Sequence, residues 1–216
     1  MAKYISINIV LELLCLLAAM AYVLKDKSLI WKSSIVFMLL TIVMEELGRH
    51  FNLTNQWKNN QLVYNLLTLP EAVFISSMFY CMLKDYIRSR PVVITGLALI
   101  YGLYLYEFIQ NGPFLYMNMT ITVMSVMFSV YSFLYLYLFI KNEAYVELKK
   151  HAAFWWVTGA LMYYFGGLAT NLLFTVMPFA DVDINARLYS YVYVALNLFL
   201  YGFWSYSFKC RYQQTR

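Results

Sequence analysis

Charge is scarce in this sequence. Of its 216 residues, 16 are Lys or Arg, 11 are Asp or Glu and two are His, a charged share of 12%, against about 25% in ordinary soluble domains. With 62% of residues hydrophobic, a water-soluble fold is excluded as the first reading. The two histidines, His50 and His151, are too few for an intramembrane zinc centre: a catalytic zinc normally takes three protein ligands, and Glu46 with His50 offers two. No lysine lies between 187 and 208, which removes the Schiff-base partner that retinal needs. No cofactor is therefore expected. Cysteine is limited to Cys15, Cys81 and Cys210. No Gly-rich phosphate loop, nucleophile elbow, Gly/Ser linker or internal repeat occurs, nor any Pro-Gln signature of sugar- and cystine-type transporters; Pro70-Glu71 comes nearest. With no complete catalytic constellation, the chain is not read as an enzyme.

What is present is apolar length. Seven apolar runs lie at 4–24, 33–53, 62–83, 91–110, 115–140, 153–177 and 187–208, each near the ~20 residues that cross a hydrocarbon core as a helix. Barrel strands are shorter and alternate in polarity. The expected fold is all-α, a seven-transmembrane-helix bundle forming one domain over 1–216. Lysine and arginine resist translocation, and twelve of the 16 fall in one set of segments: Lys25, Lys27 and Lys32; Lys84, Arg88 and Arg90; Lys141, Lys149 and Lys150; Lys209, Arg211 and Arg216. Lys3, Arg49, Lys58 and Arg187 lie on the other side. The bias places the N-terminus outside and the C-terminus in the cytoplasm. It also explains the net charge of +5 through anionic lipid, so the expected partner is the bilayer and not nucleic acid. Lys3 and the Ala19-Met20-Ala21 stretch resemble a signal peptide. Glu12 interrupts that run, and cleavage would leave Lys25 and Lys27 outside, so the first run is expected to stay as a span. All three cysteines then fall in the inner half or the tail, away from disulfide chemistry; Cys210 has a juxtamembrane setting open to acylation.

Ionisable groups inside a bilayer are costly and mark cavities, ion paths or ligand sites. At 1.5 Å per residue, Glu12, Glu45 and Glu46 fall just outward of the centres of their spans, Glu71 near the midplane, Arg49 and His50 further out, and Glu107 near an outer end. The inner halves carry no charge. This asymmetry predicts a polar cavity open to the outside and closed by an apolar plug. On span 2, Glu45 and Arg49, and likewise Glu46 and His50, are four apart and are expected to pair. On span 3, Tyr64, Thr68 and Glu71 share a face, and Pro70 removes a backbone donor beside Glu71, which predicts a hinge. Asn118, Thr122, Ser125, Ser129 and Ser132 form a seam on span 5; Tyr189, Tyr193, Asn197, Tyr201 and Ser205 form one on span 7. Both are expected to face protein. Such seams also serve as packing glue, as do Gly159, Gly166 and Gly167, with Asn171 four beyond the last. The 21 Tyr and 16 Phe are read as interfacial belts and core filling.

The pattern Glu45-Glu46, Asn59-Asn60, Tyr64-Asn65 and Glu71 resembles small stand-alone bacterial seven-span membrane proteins of unknown function, and the seven-span input modules of some sensor histidine kinases. The likeness covers spans 2 and 3. It implies a multi-pass protein of the bacterial inner membrane and a sensory role. The fused modules carry a kinase after the last span, whereas this sequence runs to Arg216, so output is expected through a separate cytoplasmic or membrane partner. The expected function is a receptor that admits a small ligand from outside, held by Glu45, Glu46, Arg49, His50, Glu71, Asn171, Tyr193 and Asn197. The alternatives are a small-molecule or proton-coupled transporter, an accessory membrane subunit, and a lipid-modifying hydrolase using paired carboxylates.

Overall fold

In the computed structural model the described residues are 7–142, 147–176 and 182–215, with side chains described outside 174–176 and 182–186. Lys3, Arg216, the start of the run at 4–24 and the end of that at 153–177 lie outside them. Seven α-helices follow in order: α1 (Ile7–Val23), α2 (Leu29–Leu53), α3 (Trp57–Leu83), α4 (Ser89–Asn111), α5 (Asn118–Lys141), α6 (Ala152–Val176) and α7 (Val182–Gln214). No strand occurs among the described residues. Helices α3, α4 and α5 are each long and apolar enough to cross a membrane, which marks the chain as a membrane protein.

The helix ends have local causes. Helix α2 stops where Asn55 turns left-handed, at φ 58°, a conformation that asparagine tolerates after a helix. Helix α4 stops at Gly112, at φ 72°, and Pro113 then blocks any continuation. Helix α3 runs unbroken through Pro70. Helix α7 extends the apolar run at 187–208 in both directions to 33 residues, roughly 50 Å at 1.5 Å per residue. Its last turns pay for their polarity by an ion pair: Arg211 Nε lies 2.7 Å from Asp26 in the α1–α2 turn.

Neighbouring helices in sequence pack on one another, α1 also packs on α7, and α3 meets α5 directly. Six helices thus close a ring, with α4 outside it against α3 and α5. Side-chain bonds give the directions: Glu12 meets Tyr201 and Asp26 meets Arg211, so α1 and α7 run parallel, while Glu45 meets Tyr64 across an antiparallel α2–α3 pair. The α1–α2, α3–α4 and α5–α6 turns and the end of α7 gather at one end of the bundle. This basic end holds Lys25, Lys84, Arg88, Lys149 and Lys209.

Below the middle of the ring, toward the basic end, the interior is aromatic. Trp156 and Trp204 stack at 5.1 Å and 7°, Phe37 and Phe74 at 4.2 Å and 12°, and Phe79 meets Trp156 edge-on at 5.5 Å. Such pairs contribute about 0.5–1.5 kcal/mol each beyond area burial. Trp204 Nε1 also donates to the Trp156 carbonyl at 3.2 Å. Small residues let α6 and α7 close up: a Cβ on Gly166 would lie 2.5 Å from Leu196 Cδ2, and one on Gly159 3.3 Å from the Leu200 carbonyl. In lipid, where apolar surface gains little by burial, this close approach is the main source of helix association.

The basic end is stitched by backbone acceptors. The Lys149 carbonyl accepts from Tyr206 at 3.1 Å, Trp155 at 3.3 Å and the Cys210 thiol at 3.4 Å, and Ser207 donates to the Ala152 carbonyl at 2.7 Å. Cys210 is accordingly buried. Burial alone would raise the Asp26 carboxyl, but the Arg211 guanidinium, the Ser28 amide at 2.6 Å and Lys32 outweigh it and hold it below the usual range. Arg211 also sits over the Trp31 ring at 5.3 Å. Burial lowers His151, which lies against Phe139 with ring centroids 4.8 Å apart.

The expected seam on α5 needs correction. Asn118 and Thr122 are exposed, and Thr120 is buried in their place. Ser129 and Ser132 do turn inward, yet their hydroxyls donate to the carbonyls four residues earlier, Ser125 at 2.8 Å and Phe128 at 2.8 Å. A hydroxyl that satisfies itself on its own helix bridges nothing.

Candidate functional site

Toward the end away from the basic turns, the ring encloses a cavity of about 170 Å³ walled by α2, α3, α5, α6 and α7. Phe37, Met124, Leu200 and Trp204 belong to its wall on the aromatic side; Glu45, Tyr64, Tyr116, Asn171 and Tyr193 belong to the other side. One side of the cavity thus holds Glu45 and Asn171, and the other is closed by the stacked rings.

Its chemistry comes from two carboxylates, two amides and six tyrosines: Glu45, Glu71, Asn171, Asn197, Tyr64, Tyr116, Tyr163, Tyr164, Tyr193 and Tyr201. Tyr164 of α6 donates to Glu71 Oε1 at 2.7 Å and Tyr64 of α3 donates to Glu45 Oε2 at 3.2 Å. Tyr189 and Tyr193 both donate to Asn171 Oδ1, at 2.8 and 3.1 Å. Behind the wall, Tyr201 donates to Glu12 Oε1 at 3.2 Å, and Glu12 Oε2 is buried with no hydrogen-bond partner. The hydroxyls of Tyr64, Tyr164, Tyr193 and Tyr201 therefore point their protons at carboxylate and amide oxygens, tying α6 to α3, α3 to α2, and α7 to α6 and α1.

The α4–α5 turn delivers Tyr116 to the cavity, and Asn65 holds that turn. Asn65 is fully buried; its amide donates to the Pro113 carbonyl at 2.9 Å and the Leu115 carbonyl at 2.7 Å, and its oxygen accepts from Met117 N at 3.3 Å. Glu107 fixes the other side, accepting from Met119 N at 3.1 Å, Thr120 N at 2.7 Å and the Thr120 hydroxyl at 2.6 Å. A carboxylate at the first turn of α5 satisfies free amides and opposes the helix dipole. At Pro70, the Tyr101 hydroxyl donates to the neighbouring Leu69 carbonyl at 3.2 Å, joining α4 to α3 there.

Of the residues expected to form the site, Glu45, Glu71, Asn171, Tyr193 and Asn197 come together on this cavity. Glu46, Arg49 and His50 are not in its lining. The expected pairing on α2 is also corrected: Arg49 pairs with Glu46, three residues away at 2.5 Å, while Glu45 turns inward to Tyr64 and His50 is exposed beside Phe51. Both spacings bring side chains together on a helix, and burial of the Glu45 face decides between them. Sequence reasoning missed Tyr163, Tyr164 and Tyr116, because the aromatic excess was ascribed to belts and core. The usable signal was Tyr163-Tyr164, one turn before Gly167 and two turns before Asn171. No cluster of three or more His, Cys, Asp or Glu able to hold a metal occurs among the described residues. Comparison of the chain with protein-family models, with curated proteins and with solved structures finds no match.

Proposed function

We propose that this protein is a membrane receptor or sensory module, with seven helices crossing the bilayer, the N-terminus outside and the C-terminus in the cytoplasm. A small ligand enters the cavity from outside and contacts Glu45, Glu71, Asn197 and Tyr193, and a shift among α3, α6 and α7 carries the signal to a partner at the basic end. Pro70, beside Glu71, is the place where α3 bends. The seven-span reading draws support from large apolar side chains exposed on every helix, such as Leu14, Val36, Leu66, Ile94, Val130, Leu172 and Leu198, which a water-soluble protein would cover. The clustering of basic residues at one end supports the orientation.

The observation that carries the sensory reading is the closed floor. The carboxylates and amides of the cavity lie away from the basic end, and its other side runs into the Trp156–Trp204 and Phe37–Phe74 stacks. A carrier must open a path through that side by alternating access, whereas a receptor needs only two helix arrangements that the ligand tells apart. The test is a thermal-shift screen of purified protein against amino acids, organic acids, amines, quinones and lipids, repeated with Glu71→Gln. Ligand at a hundred times its Kd stabilises the native state by about 2.7 kcal/mol, and this gain should be lost in the variant. Uptake of the same compound into proteoliposomes would replace the receptor by a carrier.

A further inference from the structure

We infer that the cavity takes a small organic ammonium cation, a single positively charged nitrogen on a compact apolar body. This rests on reading the cavity as a ligand site, and it goes further by naming the ligand's charge and size.

Glu45 and Glu71 line the cavity, and among the described residues no Lys, Arg or His does. Arg49, on the same helix as Glu45, is taken by Glu46 at 2.5 Å. A third carboxyl group, Glu12, stands behind Tyr201. An anionic ligand would meet repulsion in a setting that screens it poorly. A cation meets attraction from Glu45 on α2 and Glu71 on α3.

Each carboxylate receives one tyrosine hydroxyl on one oxygen, Glu71 from Tyr164 and Glu45 from Tyr64. The other oxygen of each takes no donor among the described residues. The unspent capacity of the carboxylates is acceptor capacity, and an ammonium group offers donors alone. Tyrosines with Phe37 and Trp204 belong to the wall, and aromatic rings attract ammonium and quaternary nitrogen.

A cavity of about 150 Å³ accommodates benzene, so 170 Å³ suits an amine of about six to nine non-hydrogen atoms. A bare metal ion fits less well. The acidic groups are spread over α1, α2 and α3, and no three metal-ligating side chains converge among the described residues.

The experiment is titration of the protein in detergent, followed by thermal shift and calorimetry, with three probes of similar size, benzylamine, benzyl alcohol and benzoate, and the smaller quaternary cation tetramethylammonium. The two cations should bind, benzyl alcohol should bind about tenfold or more weakly than benzylamine, and benzoate should not bind. Glu71→Gln should weaken benzylamine about tenfold and leave benzyl alcohol unchanged; Glu45→Gln provides a second, independent removal of charge, and the wild-type series decides the matter if neither variant folds. Benzyl alcohol or benzoate binding as tightly as benzylamine overturns the inference. Failure of both cations alongside a hit from the wider screen that Glu71→Gln abolishes also overturns it, leaving the receptor reading standing. No hit from any class removes both.

Discussion

Asn65 holds the turn that brings Tyr116 to the cavity wall, and Asn65→Ala measures how strongly. Its side chain is fully buried and makes three hydrogen bonds, to the Pro113 and Leu115 carbonyls and from Met117 N. Each such bond contributes a net of roughly 0.5–1.5 kcal/mol, and truncation also strands backbone groups that the asparagine had satisfied. The sum is about 3 kcal/mol for the change to alanine. At about 2–4 °C per kcal/mol for a chain of this size, Tm should fall by about 6–12 °C. Fluorescence-detected size-exclusion after heating reads this directly. Asn65→Asp keeps the acceptor for Met117 but sets carboxylate oxygen against two carbonyls, so it should fall at least as far. Because the same turn carries Tyr116 into the cavity wall, ligand affinity should also drop at temperatures where the variant is fully folded. A Tm within about 2 °C of the parent would refute the reasoning, since three real buried bonds cannot be removed so cheaply.

Asp26→Asn should lower Tm by about 4–8 °C at pH 7, from about 2 kcal/mol for an ion pair whose aspartate is buried and whose arginine is partly solvated. The folded Asp26 carboxyl lies below its unfolded value near 3.9, so its contribution is complete above that pH and is lost as pH falls through the folded value. The gap between parent and variant should therefore close in acid; a gap constant from pH 7 to pH 3 would disprove the pairing. At Gly96, a Cβ would overlap the Tyr131 hydroxyl, which donates to the Val92 carbonyl at 3.0 Å. Gly96→Ala should cost about 1–3 kcal/mol, and adding Tyr131→Phe should recover part of that loss. Simple additivity of the two changes would show that they do not touch.

How much could be read without the structure differs between levels. The bounds of the helices were legible because apolar length is a property of neighbouring residues. The exception is α7, whose final turns are helical because Arg211 finds Asp26, 185 positions away. The shared face of Tyr64, Thr68 and Glu71 was legible for the same local reason, and all three line the cavity. Partners were not. Tyr164 is one of 21 tyrosines and lies 93 positions from Glu71, and nothing local distinguishes it from a ring in an interfacial belt. Glu45 and Glu46 illustrate the remaining ambiguity: adjacent carboxylates point about 100° apart on a helix, and only the neighbouring α3 determines that Glu45 faces inward.

The contact between Glu12 and Tyr201 has a consequence for biogenesis. The two residues are separated by 189 positions, so at about 5–20 residues per second the first helix waits roughly 10–40 s for the last one to emerge. Through that interval α1 has a carboxylate and no hydroxyl to meet it, and the ring is open where α7 belongs. Since α7 supplies Tyr193, Asn197, Tyr201 and Trp204 to the wall, the cavity comes into being only when α7 joins the ring. A ribosome stalled before α7 would leave an open arc of helices with no binding site at all.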